Sequence, residues 1–304
     1  MSIKERLKVG NRQLEVSNLA KVFYPETGFS KGDVIAYYKA IAPVVLPYLK
    51  RRPVTLKRYP DGVTGNFFYE KRCPPHRPGW VGTITMRRQR DDKDVEYCAI
   101  DSVAALLWAA NLGNLELHAT LAREPDLERP TAVVFDLDPG PPAGILDCAS
   151  IAIRLRDHFA EAGLETLCKT SGSKGMQLYV PLNTKVTYDQ TAAFALSTAT
   201  MLEGQTPEKV VTKMKKELRG GKVLIDWSQN DGHKTTVSVY SLRARPRPTV
   251  STPVTWEEIE RAVARGDQAQ LVFETRDVLA RVDERGDLFA PVRTLRQKLP
   301  KIEQ

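Results

Sequence analysis

The sequence predicts a mixed α+β fold (α/β mixed) of two modules. Segments with helical apolar spacing alternate with short apolar segments typical of strands. Residues 121–130, LAREPDLERP, are polar, contain two prolines and lack periodicity, so they divide the chain. Beyond them the predicted order β-α-β-β-α-β-β is that of a split β-α-β sheet packed by helices, a ferredoxin-like or RNA-recognition-type module.

The N-terminal module, about residues 1–120, combines helices and strands. Residues 31–49 predict a helix, because apolar residues recur three and four positions apart and Ser30 is a favourable N-cap. Residues 52–60 and 67–72 are predicted to form two strands joined by a glycine-containing turn. Residues 97–119 predict a helix and then a short strand that ends near His118.

The second module, about residues 130–250, is where the split sheet is expected. Strands are predicted at 131–140, on both sides of the glycine turn within 164–182, at 222–231 and at 235–243. Helices are predicted at 145–163, closed by Gly163, and at 187–204. Residues 251–304 predict a helical, peripheral tail, so residues 1–304 are expected to form a single catalytic domain built of these parts.

The composition narrows the classes of function. Lys and Arg exceed Asp and Glu by 45 to 37, a net charge of +8, which suits a polyanionic partner without establishing one. No apolar run reaches the roughly 20 residues of a membrane span, and the charged start lacks a secretory signal, so an intracellular protein is expected. The four cysteines are scattered and form no C-x-x-C pair, so reduced, mostly buried thiols are expected.

Two aspartates at the end of the strand at 131–140 form the first candidate site. Asp136 and Asp138 are two residues apart, so they share a face of the strand. Carboxylates this close repel each other, and a bound divalent cation removes that repulsion. A D-x-D pair is short and common, so a solvated strand end is the alternative interpretation.

A third carboxylate, Asp226, ends the apolar part of the strand at 222–231. A nearly buried carboxylate is costly unless it is paired or bound to metal, although a capped strand end is the alternative. Asp136, Asp138 and Asp226 are therefore the predicted catalytic residues and metal ligands of a nucleotidyl transfer. Two divalent cations are expected, Mn²⁺ or Mg²⁺, since either suits an all-oxygen site.

Side chains near these strands are candidates for phosphate binding. The turn KTSGSKG carries Ser171, Ser173 and Lys174, and its backbone N–H groups could form an anion nest. The turn lacks the spacing of a Walker A loop, and a plain β-turn is the alternative. After Asp226 come Lys234, Arg243 and Arg245, whose spacing allows some of them to face the same site and meet phosphate oxygens.

These features together resemble the polymerase domain of bacterial and archaeal ligase D, of the archaeo-eukaryotic primase superfamily, which works in non-homologous end joining. The matching stretches are NLAKVFYPETGFSK (18–31), RRPVTLKRYPDG (51–62), FFYEKR (67–72), VFDLDPG (134–140), TSGSKG (170–175), LRGGKVLIDWSQN (218–230), KTT (234–236) and YSLRARPRPTVSTPVTWEE (240–258). They span nearly the entire chain. The resemblance implies a primase-like two-module fold with the active site between the modules, and a DNA-dependent polymerase that fills gaps and extends primer ends.

The resemblance also implies roles for individual residues. Asp136, Asp138 and Asp226 match the metal triad. The implied nucleotide contacts are Lys57, Phe68, Tyr69, His118, Ser171, Lys174, Gln177, Lys234 and Arg243, with Phe68 stacking on the base. Asn18, Lys21 and Lys31 match a pocket for the 5′-phosphate at a break or gap, and Arg219 matches a residue of the primer side.

Partners follow from the same resemblance. The implied substrates are DNA with a gap or 3′ overhang and a 5′-phosphate, and NTPs in preference to dNTPs. The implied protein partners are Ku and a DNA ligase. The implied location is the prokaryotic cytoplasm, at the nucleoid. Two other interpretations stay open. One is a metal-dependent nuclease that uses the same carboxylates with water. The other is a non-catalytic module that binds the 5′-phosphate of a DNA end.

Gln177 departs from the family pattern, in which S-G-x-K-G is commonly followed by an apolar residue and a histidine. A glutamine amide can donate a hydrogen bond to a phosphate but carries no charge, so nucleotide affinity or rate is expected to be lower. We predict that Gln177→His raises the affinity for a nucleoside triphosphate, measured by isothermal titration. No gain in affinity would count against this explanation.

Overall fold

The computed structural model describes residues 4–88 and 93–300. Its helices are α1 (Lys31–Leu49), α2 (Val103–Asn111), α3 (Ile145–Glu161), α4 (Tyr188–Gln205), α5 (Trp256–Arg265) and α6 (Thr275–Arg285). Its strands are β1 (Lys4–Val9), β2 (Arg12–Ser17), β3 (Val22–Tyr24), β4 (Phe29–Ser30), β5 (Pro53–Arg58), β6 (Phe68–Glu70), β7 (Thr83–Arg88), β8 (Lys93–Ala99), β9 (Asn114–Ala119), β10 (Ala122–Arg123), β11 (Asp126–Pro130), β12 (Ala132–Pro139), β13 (Leu167–Thr170), β14 (Met176–Pro181), β15 (Val210–Val211), β16 (Val223–Asp226), β17 (Thr236–Val237) and β18 (Pro253–Val254). The predicted mixed α+β fold is confirmed. Within these residues, no helix combines the length and the apolar character that crossing a membrane requires.

The chain folds into two compact units whose sequences interleave. The first unit holds the chain up to Pro125 together with Thr235–Val250 and Glu274–Asp283, and the second holds Asp126–Lys234, Ser251–Phe273 and the chain from Glu284 onward. The division falls within 121–130, as expected, but the three consecutive parts 1–120, 130–250 and 251–304 are not separate bodies. The reason is strand pairing: β17 pairs with β9 in the first unit, whereas β18 pairs with β13 in the second.

The first unit is built on an antiparallel sheet of order β17-β9-β5-β8-β7, with β6 also paired to β5. Helix α1 begins where the sequence predicts, because Ser30 Oγ accepts a hydrogen bond from the Asp33 amide and the Asp33 carboxylate accepts one from the Ser30 amide. The buried Tyr38 hydroxyl donates to the Leu115 carbonyl (2.6 Å), which fixes α1 against β9. This helix therefore supports the central strands of the sheet.

Two of the four cysteines are not the reduced thiols that the sequence predicts. Cys73 and Cys98 form a disulfide that joins the segment after β6 to β8, across a sequence separation of 25. The Cys73 amide also donates to the Glu96 carbonyl (2.7 Å), so the folded backbone brings together residues that look scattered in the sequence. Cys148 and Cys168 are free and buried, as expected.

The second unit contains the predicted split β-α-β sheet. Its order is β15-β16-β12-β14-β13-β18, and neighbouring strands pair antiparallel except β15 and β16, which are parallel. The prediction of a strand of this sheet at 235–243 is wrong. The strand there is limited to Thr236–Val237, and it belongs to the sheet of the first unit. The backbone leaves the strand conformation soon afterwards, where Tyr240 has φ +63°.

Strand β12 separates apolar from acidic side chains. Val133, Phe135 and Leu137 are buried in the core that α3 and α4 cover, where Phe135 contacts Phe159 with ring centroids 5.3 Å apart. Because successive side chains on a strand point to opposite faces, Asp136 and Asp138 lie on the other face. The core thus orients the carboxylates.

The glycine turn packs directly on this strand. A Cβ atom built on Gly175 would lie 2.0 Å from the Leu137 carbonyl oxygen and 3.3 Å from Pro139 Cδ, so only glycine allows the approach. The turn with Ser171 and Lys174 is thereby held beside the strand that carries Asp136 and Asp138.

We predict that Gly175→Ala lowers the free energy of unfolding by about 1–3 kcal/mol, because backbone atoms must move to admit the methyl group. The matched control is Gly204→Ala in α4, where an added Cβ meets nothing within 4 Å. That variant should be neutral or more stable, since alanine favours a helix. Urea unfolding of both proteins measures the difference, and equal stabilities would contradict the close approach.

Candidate active site

The second unit gathers the three predicted catalytic carboxylates on one face of its sheet. Asp136 of β12 lies directly opposite Asp226 of β16 in the antiparallel register, and Asp138 lies opposite Leu224. Directly opposed residues share a face, and so do residues two apart on one strand. The convergence comes entirely from strand register.

Burial and charge act together on Asp136. Burial, together with the charges of the neighbouring Asp138 and Asp226, raises the pKa of this carboxyl to about 7, although a hydrogen bond from Gln177 and the charge of Lys169 act in the opposite direction. An opposing cation would stabilise the ionised form. The all-oxygen donors and their mutual repulsion therefore fit a hard divalent cation.

Asp226 is already hydrogen-bonded within its own turn. One oxygen accepts from the Ser228 amide (3.0 Å) and hydroxyl, and the other from Gln229 Nε2 (2.8 Å). Lys234 Nζ in turn donates to Ser228 Oγ, so Lys234 is linked to this carboxylate. In residues 4–88 and 93–300, no three His, Cys, Asp or Glu side chains already form a metal-ligand group. The carboxylate oxygens of Asp226 keep further lone pairs for a ligand.

The glycine turn is stabilised from within. Ser171 Oγ accepts hydrogen bonds from the amides of Ser173 and Gly175 (both 3.2 Å), so these two N–H groups serve the turn itself rather than an open nest. Lys174 at its tip is exposed. Gln177 is buried opposite Asp136, and its described polar contacts are to Asp136 and Tyr179.

Arg219 follows a short 3-10 helix, Lys216–Leu218, and its guanidinium donates to the Met214 carbonyl. A Cβ on Gly140 would lie 2.0 Å from the Arg219 carbonyl oxygen. The backbone of the predicted primer-side residue therefore packs against the turn that follows Asp138.

The first unit holds a separate cluster around Glu116, a residue that the sequence analysis missed. The buried carboxylate of Glu116 accepts from His118 Nε2 (2.9 Å) and lies 3.4 Å from both Lys57 Nζ and Arg243 Nε. Its other oxygen also accepts from the Ala244 amide (3.1 Å). One carboxylate thus orients three of the predicted nucleotide-binding side chains. The available signal was a glutamate two residues before His118 on an apolar strand, hence on the same face.

The pKa values in this cluster follow from its charges. Burial would raise the pKa of Glu116, but the His118 hydrogen bond and the charges of Arg243 and Lys57 hold it well below its ordinary value. Burial lowers the pKa of His118. The hydrogen bond and the negative charge of Glu116 act to raise this pKa, but they do not outweigh burial. Neutral His118 must carry its proton on Nε2 to donate to Glu116.

The aromatic residues of the 67–72 segment divide between two faces. Tyr69 lies opposite Lys57, whose ammonium is 5.4 Å from the Tyr69 ring and 4.6 Å from the Phe67 ring. Phe68 lies opposite Arg58, with its ring 5.0 Å from that guanidinium. All three rings are about half exposed. Phe67 and Tyr69, rather than Phe68, therefore share a face with Lys57.

The residues predicted to bind a 5′-phosphate lie together in the first unit. The Lys21 amide donates to the Asn18 carbonyl (3.0 Å), and the Lys31 amide donates to the Lys21 carbonyl (2.8 Å). The buried Lys31 ammonium donates to the Ser17 carbonyl (2.7 Å), and burial and the charge of Lys21 lower its pKa to about 8. The Lys21 ammonium forms an ion pair with Asp61 (2.6 Å), so a phosphate bound here would compete with that carboxylate.

The chain is similar to known proteins over most of its length. A family profile described as LigD, primase-polymerase domain, matches residues 30–289. The chain belongs to this family. It is 40% identical over 284 residues to the multifunctional non-homologous end joining protein LigD of Mycolicibacterium smegmatis, over 92% of this chain and 36% of that protein. It is 29% identical over 278 residues to the bifunctional non-homologous end joining protein LigD of Bacillus subtilis, over 91% of this chain and 44% of that protein.

A solved structure is also similar. The polymerase domain from Mycobacterium tuberculosis ligase D, in complex with DNA, gives a TM-score of 0.85 at 38% identity and covers 92% of this chain and 97% of its own. The chain thus spans well under half the length of the LigD proteins but nearly all of this LigD domain. The predicted membership of the ligase D polymerase family and its fold are confirmed.

We predict that Glu116→Gln lowers the free energy of unfolding at pH 7 by about 2 kcal/mol, because Lys57 and Arg243 lose their shared counter-charge. The folded-state pKa of Glu116 lies below its ordinary value of 4.5, so its contribution is present above that pH and is lost as pH falls through the lower value. The difference between the two proteins should narrow below about pH 5. Urea unfolding at pH 7 and pH 4 measures it.

The matched control is Glu161→Gln, at the exposed end of α3. It should change stability by less than about 0.5 kcal/mol at either pH. A Glu116 variant that behaves like this control would contradict the role of Glu116 as the centre of the cluster.

Proposed function

We propose that this LigD-family chain is a DNA-dependent nucleotidyl transferase, a primase-like polymerase that fills gaps and extends primer ends during non-homologous end joining. The observation that carries the proposal is the gathering of Asp136, Asp138 and Asp226 on one sheet face beside the turn with Lys174. Transfer of a nucleotide requires negative charge of this kind to hold cations, and a positive group for the triphosphate.

The carboxylates would hold two divalent cations, Mn²⁺ or Mg²⁺. When bound, these ions supply activation of the primer 3′-hydroxyl and neutralisation of the triphosphate. The protein's own part is to keep the donors in place. Gln177 donates a hydrogen bond to Asp136, and Ser228 orients Asp226 while accepting a hydrogen bond from Lys234.

The cluster around Glu116 would bind the incoming nucleotide. Lys57 and Arg243 are cations that Glu116 holds in fixed positions, so they are prepared to contact phosphate oxygens without first losing side-chain freedom. The exposed ring of Tyr69 on the same face suits stacking on a base of any sequence. Lys174, Ser171 and His118 would complete these contacts, as the family resemblance implies.

The DNA-binding part of the proposal rests on positive charge. The backbone contacts that link Asn18, Lys21 and Lys31, together with the repulsion between the two ammonium groups, suit the 5′-phosphate of a break. The exposed basic segment 213–216 and Arg219 would follow the DNA backbone on the primer side. Affinity for DNA should then fall steeply with salt.

The remaining family properties are part of the same proposal. They are a preference for ribonucleotides over deoxyribonucleotides, cooperation with Ku and a DNA ligase, and a place in the cytoplasm at the nucleoid of a prokaryote. A nuclease would use the same carboxylates but has no need for Lys57 and Arg243 preset by Glu116. A non-catalytic end-binding module would leave the repulsion at Asp136 without a purpose.

We predict that the protein extends a primer on a gapped duplex with a 5′-phosphate, and that Asp136→Asn lowers the rate at least about 10³-fold, because one carboxylate of the cluster is lost. NTPs and dNTPs, each with Mg²⁺ or Mn²⁺, are compared by gel in single-turnover assays. The matched control is Asp157→Asn, an exposed aspartate of α3. It should extend at the wild-type rate.

DNA binding separates the alternatives. Wild-type protein that binds the 5′-phosphorylated gap but never extends it would favour the end-binding module. Shortening of the primer instead of extension, lost in Asp136→Asn, would favour a nuclease. Either result would overturn the polymerase proposal.

A further inference from the structure

A lysine outside the predicted site lies in line with the carboxylates. In the register of four neighbouring strands, Lys169 of β13 is opposite Gln177 of β14, Gln177 is opposite Asp136 of β12, and Asp136 is opposite Asp226 of β16. All three strand pairs are antiparallel, and directly opposed residues share a face. We call Lys169, Gln177, Asp136 and Asp226 the cross-strand row.

Lys169 is completely buried, with an exposed fraction of 0%. Its ammonium donates to Ser251 Oγ (2.7 Å), and that hydroxyl donates to the Thr170 carbonyl (2.9 Å). The Tyr179 ring lies 5.8 Å from the ammonium. Lysine is almost never fully buried unless a specific interaction offsets the cost of removing its charge from water. The Ser251 hydroxyl and the Tyr179 ring are among the groups that offset this cost.

The strand register also brings this buried charge into line with the carboxylates. Two strand spacings of about 4.8 Å separate the backbone of Lys169 from that of Asp136, and little water lies between buried groups to screen them. The positive charge of Lys169 opposes the burial that disfavours ionised Asp136. Gln177 lies between them and donates a hydrogen bond to Asp136 while accepting one from the Tyr179 hydroxyl (3.4 Å).

We propose that Lys169 is a positioning residue for the metal site: its buried charge is the resident counter-charge of Asp136 and, through the cross-strand row, sets how strongly the carboxylates hold a divalent cation. The proposal rests on the proposed function only in taking these carboxylates as metal ligands. Before a cation binds, Lys169 limits the repulsion among the carboxylates. After it binds, Lys169 repels it and prevents excessively tight binding.

A double-mutant cycle on stability tests the first half. Lys169→Met, Asp136→Asn and the double variant are unfolded thermally with EDTA present. Lys169→Met should lower the Tm clearly in the wild-type background and at most half as much in the Asp136→Asn background, because the charge it balances is then absent. Equal losses in the two backgrounds would overturn the proposal and leave Lys169 a merely structural residue.

If Lys169→Met does not fold alone, the double variant decides. Recovery of a folded protein with Asp136→Asn supports the counter-charge, and failure in that background as well overturns it.

Binding of Mn²⁺ without nucleotide or DNA tests the second half. Free Mn²⁺ is measured by electron paramagnetic resonance at pH 8.5 for each protein. Lys169→Met should bind Mn²⁺ about tenfold more tightly, because a fixed charge two strands away no longer repels the ion. The matched control Lys209→Met, an exposed lysine of the same unit, should change affinity less than twofold.

The outcomes separate the two proposals. Unchanged or weaker Mn²⁺ binding by Lys169→Met would overturn the role in metal affinity. Wild-type protein that binds no Mn²⁺ would instead refute the metal site of the proposed function, while the stability cycle would still decide whether Lys169 balances Asp136.

Discussion

The alternation of side chains along β12 is the constraint on which the second unit depends. Phe135 and Leu137 must lie in the core under α3 and α4, and this requirement forces Asp136 and Asp138 onto the opposite face. A slip of one residue would bury both carboxylates and expose the apolar residues, so the core itself enforces the register. The same register brings Asp226 opposite Asp136 and holds Gly175 against the Leu137 carbonyl. The candidate site is thus a consequence of hydrophobic packing on the other side of the sheet.

The two units treat buried charge in opposite ways. In the second, burial and the gathering of Asp138 and Asp226 beside Asp136 raise the pKa of Asp136 to about 7. In the first, Glu116 is surrounded by Lys57, His118 and Arg243, and its pKa falls well below the ordinary value. The carboxylates of the second unit leave a demand for cations. The Glu116 cluster of the first unit holds cations ready for an anion. The nucleotidyl transfer that we propose uses both metal ions and a triphosphate, so it draws on both kinds of cluster.

Local signals in the sequence were enough for the elements that depend on neighbours in the chain. Ser30 and the apolar spacing located α1, and the apolar runs before Asp136 and Asp226 located β12 and β16. Pairing between distant strands was not predictable in this way. Residues 235–243 look like another strand of the split sheet, yet Thr236–Val237 pairs with β9 in the first unit. The Cys73–Cys98 disulfide, the face of Phe68 and the partners of Glu116 all depend on such long-range register, which periodicity cannot specify.

The position of Gln177 in the sheet has a second consequence. Considered with the turn alone, Gln177 is a weaker phosphate ligand than histidine, because it carries no charge. In the cross-strand row it is also the neutral residue between Lys169 and Asp136, with its amide donating to Asp136 and its carbonyl accepting from Tyr179. An imidazole here would titrate near neutral pH and could add a second positive charge beside the carboxylates. Gln177 adds no charge at this position, so Lys169 is the positively charged member of the cross-strand row, which is the role that we propose for it. The exchange, which we expect to weaken triphosphate binding, would under our proposal make the buried lysine more important to the metal side.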